Sequence, residues 1–294
     1  MDPSKRISVV APAGWVDEAD LRKGTEKLAQ RWSLRIAEDI GAAEGYLAGD
    51  DARRLRELQQ AFNARDIGAI IAARGGFGTT RILDALDLSG LQERPKWVVG
   101  CSDLTALLMQ IWAELRLVSI HGPMVAGFHR THEPDLLALF NLLTGNAATC
   151  DQALQPMRHG EVTGPLIGGN LTVLAHLVGT LDPCCFDGAV LFLEDVGERP
   201  YRLERALIQL DRAGILRRVS GLIIGELTRC APPTEQGTTA IDAMMRVLGP
   251  LEKPIATGYP AAHGQRNAPF LHGARVTLTV SKDRADIQYY FEIE

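Results

Sequence analysis

The 294-residue sequence has no apolar run approaching the roughly 18 residues that a spanning helix requires, so no membrane partner is expected. Basic residues are the minority, 31 Lys and Arg against 36 Asp and Glu. No basic stripe interleaves with aromatics, which argues against a nucleic-acid partner. The five cysteines, at 101, 150, 184, 185 and 230, are odd in number and form no C-x-x-C. The adjacent pair Cys184-Cys185 has neither metal-ligand nor ordinary disulfide spacing, and a reduced, cytoplasmic compartment fits best. No helical pattern carries two histidines three or four residues apart with a carboxylate, so no metal site is expected. There is no G-x-G-x-x-G and no Gly-Lys-Ser/Thr, hence no nucleotide cofactor is indicated. Internal repeats and low-complexity tracts are also missing.

What is present is the composition of a soluble globular protein, 46% hydrophobic and 23% charged. Lys5 and Arg6 before Ile7–Ala11 faintly imitate a leader. Pro12 and Gly14 break that run and Asp17, Glu18 and Asp20 follow, so it reads as a first strand, Ile7–Ala13, without an export signal. Helical patterns follow over Leu21–Trp32 and Asp50–Phe62. The continuous apolar run Ile67–Ala73 has the character of a strand buried on both faces. It empties into Arg74-Gly75-Gly76-Phe77-Gly78-Thr79-Thr80, and Arg81-Ile82-Leu83 opens a further helical pattern. Strands alternating with helices over residues 7–140 define an α/β fold with a parallel sheet covered on both sides. Residues 141–165 change character (Asn141, Gly145, Pro156, Gly160, Gly164, Pro165) and mark a boundary between a domain over 1–150 and another over 165–294. Beyond it come a short apolar helix at Asn170–Gly179, a strand at Ala189–Glu194 and a helix at Tyr201–Ala213 stopped by Gly214. A strand at Gly221–Gly225 and a late β pair, Val276–Val280 with Ile287–Ile293, complete the chain.

The most informative stretch is Trp97 to Leu115. A short β run, Trp97-Val98-Val99, turns within a few residues into a helical face of Leu107, Leu108, Ile111, Trp112 and Leu115. Ser102 sits at the bend, with Gly100 two residues before it. That is nucleophile-elbow geometry: the turn lifts a hydroxyl above a sheet at the start of a helix. The amides that follow, beginning with Asp103, then face a forming oxyanion. The alternative is that Ser102 or Thr105 merely caps the helix. The glycine loop at 74–78 is open to two readings as well, a tight turn or the second oxyanion donor.

Candidate bases and acids are fewer. His176 lies in an apolar helix and reads as a packed core residue, while His129, His132 and His159 read as surface. His121 follows a strand and is a cleft candidate. His263, in the loop Gly258–Gln265 after a probable strand, suits proton transfer or ordinary surface. Glu194 ends a buried strand and needs a partner, either a histidinium or Arg199 or Arg202. Ser102, Glu194 and His263 thus occur in the order nucleophile, acid, base. Position 104 is Leu where G-x-S-x-G wants Gly, and order alone does not decide, because triads recur in several orders.

Taken together, several segments resemble the LD-carboxypeptidase family of serine peptidases. They are Ala73–Gly78, Gly100–Thr105, His121-Gly122-Pro123, Gly168–Leu171, Leu193–Asp195 through Pro200–Arg202, and Gly258–Gly264, and they span most of the chain. The resemblance implies a flavodoxin- or glutamine-amidotransferase-like N-terminal α/β domain with a smaller β-rich C-terminal domain, and a homodimer. It makes Ser102 the nucleophile, His263 the base and Glu194 the acid orienting it, with oxyanion donors at the amides of Asp103 and Gly76. Asn170 resembles a substrate-contacting position. The adjacent Cys101 cannot address the same base as Ser102, and Ser102 is favoured. The implied reaction is release of the terminal D-alanine from murein tetrapeptides without metal or cofactor, with Arg74 as a candidate for the substrate carboxylate. Two alternatives stay open: cleavage of peptidyl-nucleotides, as in microcin-immunity relatives, and non-catalytic muropeptide binding.

Overall fold

A computed structural model describes residues 4–145, 154–232, 234, 237–261 and 263–290. The chain divides into two compact units, Met1–Ala148 with Asn267–Phe270, and Thr149–Arg266 with Leu271–Glu294. Among the described residues no helix is long and apolar enough to cross a membrane.

In the first unit the elements run β1 (Arg6–Val10), α1 (Glu18–Ala29), β2 (Leu34–Ile36), α2 (Asp51–Asn63), β3 (Ile67–Ala72), α3 (Ser89–Glu93), β4 (Trp97–Gly100), α4 (Thr105–Leu115), β5 (Ser119–His121) and α5 (Glu133–Thr144). Strands β2-β1-β3-β4-β5 pair in that order, all parallel, and Phe270 brings a last strand to the β5 edge. The apolar run of β3 is buried nearly throughout, as a strand covered by helices on both faces must be. Asp17 and Asp50 start α1 and α2 by accepting hydrogen bonds from free first-turn amides. The helical pattern read from Arg81 resolves instead into two single 3-10 turns, Thr79–Arg81 and Leu83–Ala85. Arg81 is drawn out of any helical face by a two-pronged ion pair with Asp51.

The second unit contains β6 (Gln155–Arg158), β7 (Gly160–Asn170), α6 (Leu171–His176), β8 (Val190–Val196), α7 (Pro200–Arg212), α8 (Ile215–Arg218), β9 (Gly221–Thr228), α9 (Ala240–Leu248), β10 (Ile255–Tyr259), β12 (Arg275–Val280) and β13 (Ala285–Tyr289); β11 (Phe270–His272) precedes the last two. Its seven-stranded sheet has the order β13-β12-β7-β8-β9-β10-β6. The central β7-β8-β9-β10 are parallel, and β12, β13 and β6 join antiparallel. Helix α7 buries Leu203, Leu207 and Leu210 at helical spacing, and Gly214 follows it at φ 79°, the left-handed stop that glycine adopts without a Cβ penalty.

The composition break before residue 165 carries two strands, β6 and the first half of β7. Gly164 is there for close approach: a Cβ would stand 2.0 Å from the Gly188 carbonyl oxygen. The late β pair is β12 with β13, and the part of the expected second strand at 291–293 lies outside the described residues. His176 is exposed, contrary to its reading as core, because α6 turns Leu171, Leu174 and Ala175 inward and leaves the next position outside.

Candidate active site

Ligand and reaction sites of open parallel sheets gather at the carboxyl ends of strands. In the first unit two such ends meet. After β4, Ser102 has φ 60°, the left-handed region that a non-glycine residue enters only at a cost of about 1–2 kcal/mol. It begins a 3-10 turn, Ser102–Leu104, that runs into α4. Leu104 folds back over Gly100, where a Cβ would lie 2.7 Å from the Leu104 side chain. The motif thus tolerates Leu at 104 because Gly100 makes the room. The helix-cap alternative for Ser102 and Thr105 fails, since no side chain caps the turn or α4.

After β3, the glycine loop lies directly on this serine. A Cβ on Gly75 would stand 3.1 Å from Ser102 Oγ and 2.9 Å from its Cβ. Gly76 has φ 115°, and Gly14 packs against it with its amide donating to the Gly75 carbonyl at 3.1 Å. The buried Asp103 side chain fastens the two turns together, accepting the Thr79 amide at 2.8 Å. Neither the Asp103 nor the Gly76 amide donates to a backbone acceptor among the described residues. Arg54, wholly buried, donates to the carbonyls of Pro12 (2.6 Å) and Gly78 (2.7 Å) and so ties the β1 exit to the glycine loop. Sequence reading placed Gly75 in the glycine loop and Gly14 at the end of the first strand, but it gave neither a contact with the site and passed over Arg54. The signal for Gly14 was a glycine immediately after a strand, but nothing in the sequence marks a buried arginine.

Cys101 is buried, and its sulfur accepts from Asn267 Nδ2 at 3.6 Å. It is therefore occupied in the interior while Ser102 is partly exposed. Arg74 is exposed and held against Trp15, donating to its carbonyl at 2.8 Å. His121 is buried and stacked on Phe270 at 4.7 Å between ring centroids, so it packs as a core group rather than lining a cleft.

In the second unit Glu194, with no exposed surface, accepts from His263 Nδ1 at 2.9 Å. The competing partners Arg199 and Arg202 are not used; Arg202 pairs with Glu198 instead. An ionised carboxylate out of water costs several kcal/mol unless it is paired, which is what the imidazole supplies. The Nδ1 proton is directed to Glu194. His263 Nε2 is buried and has no hydrogen-bond partner among the described residues, leaving its lone pair for a proton. Burial opposes protonation of His263, but the hydrogen bond and charge of Glu194 outweigh it, with Asp195 adding and Arg229 opposing. The His263 pKa consequently lies above its ordinary 6.5. Burial also raises the Glu194 carboxyl above its ordinary range, against the pull of His263, so the two titrate as one pair.

Asn170 ends β7, where Oδ1 caps α6 at the Val173 amide and Nδ2 donates to Asp195 at 3.1 Å. Asp195 also accepts from the Thr172 amide and hydroxyl. This network braces the strand end beside Glu194.

A strained serine hydroxyl beside free amides, and a buried carboxylate–imidazole pair with a free Nε2, are the components of serine-type acyl transfer. The chain belongs to the LD-carboxypeptidase family: the LD-carboxypeptidase N-terminal domain matches residues 7–122 and the C-terminal domain residues 163–278. It is 36% identical over 284 residues to a putative carboxypeptidase of Streptomyces coelicolor, covering 91% of this chain and 89% of that one. It is 31% identical over 289 residues to the murein tetrapeptide carboxypeptidase of Pseudomonas aeruginosa, covering 93% and 92%. Among solved structures, a muramoyltetrapeptide carboxypeptidase from Oxalobacter formigenes superposes with a TM-score of 0.83 at 28% identity, covering 97% of this chain and 99% of that one.

Proposed function

We propose that this protein is a serine carboxypeptidase that releases the terminal D-amino acid from murein tetrapeptides by hydrolysing an L,D-peptide bond. Ser102 Oγ attacks the carbonyl of the L-residue while His263 Nε2 takes its proton. The amides of Asp103 and Gly76 receive the oxyanion. His263 then protonates the departing amine of D-alanine, and water, activated by the same imidazole, hydrolyses the acyl-enzyme. Glu194 holds His263 in the tautomer this requires and offsets the imidazolium charge. Arg74 is assigned to the free carboxylate of the substrate and Asn170, whose side chain also braces the strand end, to substrate contact. The observation that carries the reading is the buried Glu194–His263 pair with its unoccupied Nε2. The free thiols of Cys101, Cys184, Cys185 and Cys230 fit a reducing, cytoplasmic setting for this reaction.

The test is D-alanine release from the tetrapeptide L-Ala-γ-D-Glu-X-D-Ala, with an aminoacyl-adenylate analogue assayed beside it. Native protein is expected to release D-alanine and to react with a fluorophosphonate. The Ser102→Ala variant is expected to keep its fold and do neither. Wild-type turnover in that variant removes the mechanism, and faster cleavage of the adenylate analogue reassigns the substrate to peptidyl-nucleotides.

A further inference from the structure

The acyl-transfer chemistry does not use Cys101, yet the surroundings of its sulfur are built with care. The chain returns to the first unit at Asn267–Phe270, and the return is fixed at three points. The Asn267 amide donates to the buried carboxylate of Asp135, on α5, at 3.0 Å. Pro269 packs on Gly122, where a Cβ would lie 3.1 Å from the proline ring. Phe270 stacks on His121 at the β5 edge. Held in this way, Asn267 turns its side chain to the elbow, and Nδ2 donates to Cys101 Sγ at 3.6 Å.

Cys101 is extended, at φ −150° and ψ −173°, and the next residue is Ser102 at φ 60°. A strained residue of that kind persists only where its surroundings over-determine it. Anchoring the Cys101 side chain in the interior stops that residue from rotating and so fixes the direction in which the chain enters Ser102. For stability alone Asn267 is a poor choice. It is 7% exposed, and its Oδ1 has no hydrogen-bond partner among the described residues. A sulfur is a weak acceptor, so the Nδ2 bond contributes little, and an unpaired buried amide oxygen costs more than such a bond gives. Leucine has nearly the same size and neither problem. What the amide supplies that leucine does not is direction.

We infer that Asn267 is a positioning residue for the nucleophile: anchored through the Asp135 carboxylate, its side-chain amide holds the Cys101 sulfur and thereby sets the orientation of Ser102. The inference rests on Ser102 being the nucleophile of the proposed reaction. It adds a residue that acts through Cys101 rather than on the substrate. Asn267 stands four residues after His263 in the sequence, so the segment that carries the base ends in the residue that steadies the nucleophile.

The experiment compares native protein with Asn267→Leu, Cys101→Ala and the double variant, by D-alanine release and by the rate of fluorophosphonate labelling. Asn267→Leu is expected to lower kcat by about 10²-fold and the labelling rate with it, while KM stays within about twofold. Its melting temperature should equal or exceed the native one. A merely structural residue would instead lower the melting temperature and leave kcat of the folded molecules unchanged. Cys101→Ala should lose as much kcat as Asn267→Leu, and Cys101→Ser, which keeps an acceptor, should retain most of it. The double variant should be no worse than either single one, because both remove the same contact. Native kcat in folded Asn267→Leu, or losses that multiply in the double variant, overturn the inference. Asn267→Ala takes the place of the leucine variant if that one does not fold. A native protein that neither releases D-alanine nor labels counts against the proposed function instead. Hydrogen–deuterium exchange then decides the positioning role: exchange over residues 101–105 faster by about tenfold in Asn267→Leu supports it, and unchanged exchange overturns it.

Discussion

The backbone of Ser102 makes a sharp demand on stability that can be separated from its chemistry. At φ 60° it occupies the left-handed region, and a residue with a Cβ gives up about 1–2 kcal/mol to stay there. Glycine escapes that strain but loses more backbone entropy on folding, about 0.5–1 kcal/mol. Ser102→Gly should therefore be more stable than Ser102→Ala by about 0.5–1 kcal/mol, with alanine as the reference because it keeps the Cβ and discards only the hydroxyl. Both should lose D-alanine release. Urea unfolding followed by tryptophan fluorescence suits the measurement, since Trp15, Trp32, Trp97 and Trp112 all belong to the first unit. For a unit of this size the difference corresponds to a few degrees in melting temperature. A glycine variant no more stable than the alanine variant would refute the claim that strain is stored at the nucleophile.

Three further outcomes follow from particular contacts. Gly75→Ala places a Cβ about 3 Å from Ser102 Oγ, so kcat should fall on the order of 10²-fold with the fold retained by circular dichroism; near-native kcat contradicts the packing. Because His263 must be neutral to accept a proton and its pKa is raised chiefly by Glu194 against burial, kcat/KM should rise with pH through a value above 6.5. Glu194→Gln should move that limb to lower pH and reduce kcat by on the order of 10³-fold or more, and an unmoved limb counts against the pair as the base. His272 is fully buried and burial lowers its pKa to about 3, against 6.5 unfolded. The unfolded chain takes up this proton first as pH falls below 6.5, so between pH 7.5 and 5 the folded state loses about 2 kcal/mol through this group. His272→Gln should remove that share of the acid sensitivity whatever constant offset it introduces; identical pH slopes in urea titrations would contradict it.

The parts of this fold legible in the sequence are those where one cause dominates. Ile67–Ala72 reads as a buried strand because burial on both faces removes every polar residue. Ser102 reads as an elbow because glycine, serine and an amphipathic run meet within six residues. Glu194 and His263 read as candidates because a carboxylate ending an apolar strand and a histidine in an unpatterned loop both need explanation. What failed was set by contacts between distant segments. Gly160 and Gly164 look like a boundary between domains yet lie in one strand, where Gly164 meets the Gly188 carbonyl. Arg81 left its helical pattern for Asp51, thirty residues earlier. The apolar neighbours of His176 suggested a core position, but a six-residue helix with one buried face leaves room for an exposed residue beside them.

The two halves of the chemistry are held by different physics. Ser102 is fixed by backbone geometry: glycines at 75, 76 and 100 clear space, and Asp103 and Arg54 pin the loops that crowd it. Those contacts are steric or join a side chain to the backbone of a neighbouring loop. Glu194 and His263 are fixed by charge in a dry setting, where each makes the other tolerable and Asn170 and Asp195 brace the strand end. Removing a glycine should therefore act on the nucleophile at every pH, whereas removing a charge in the second unit should act through the pH profile. That difference follows from the kinds of contact alone, so it also separates damage to the nucleophile from damage to the base when a variant's activity is lost.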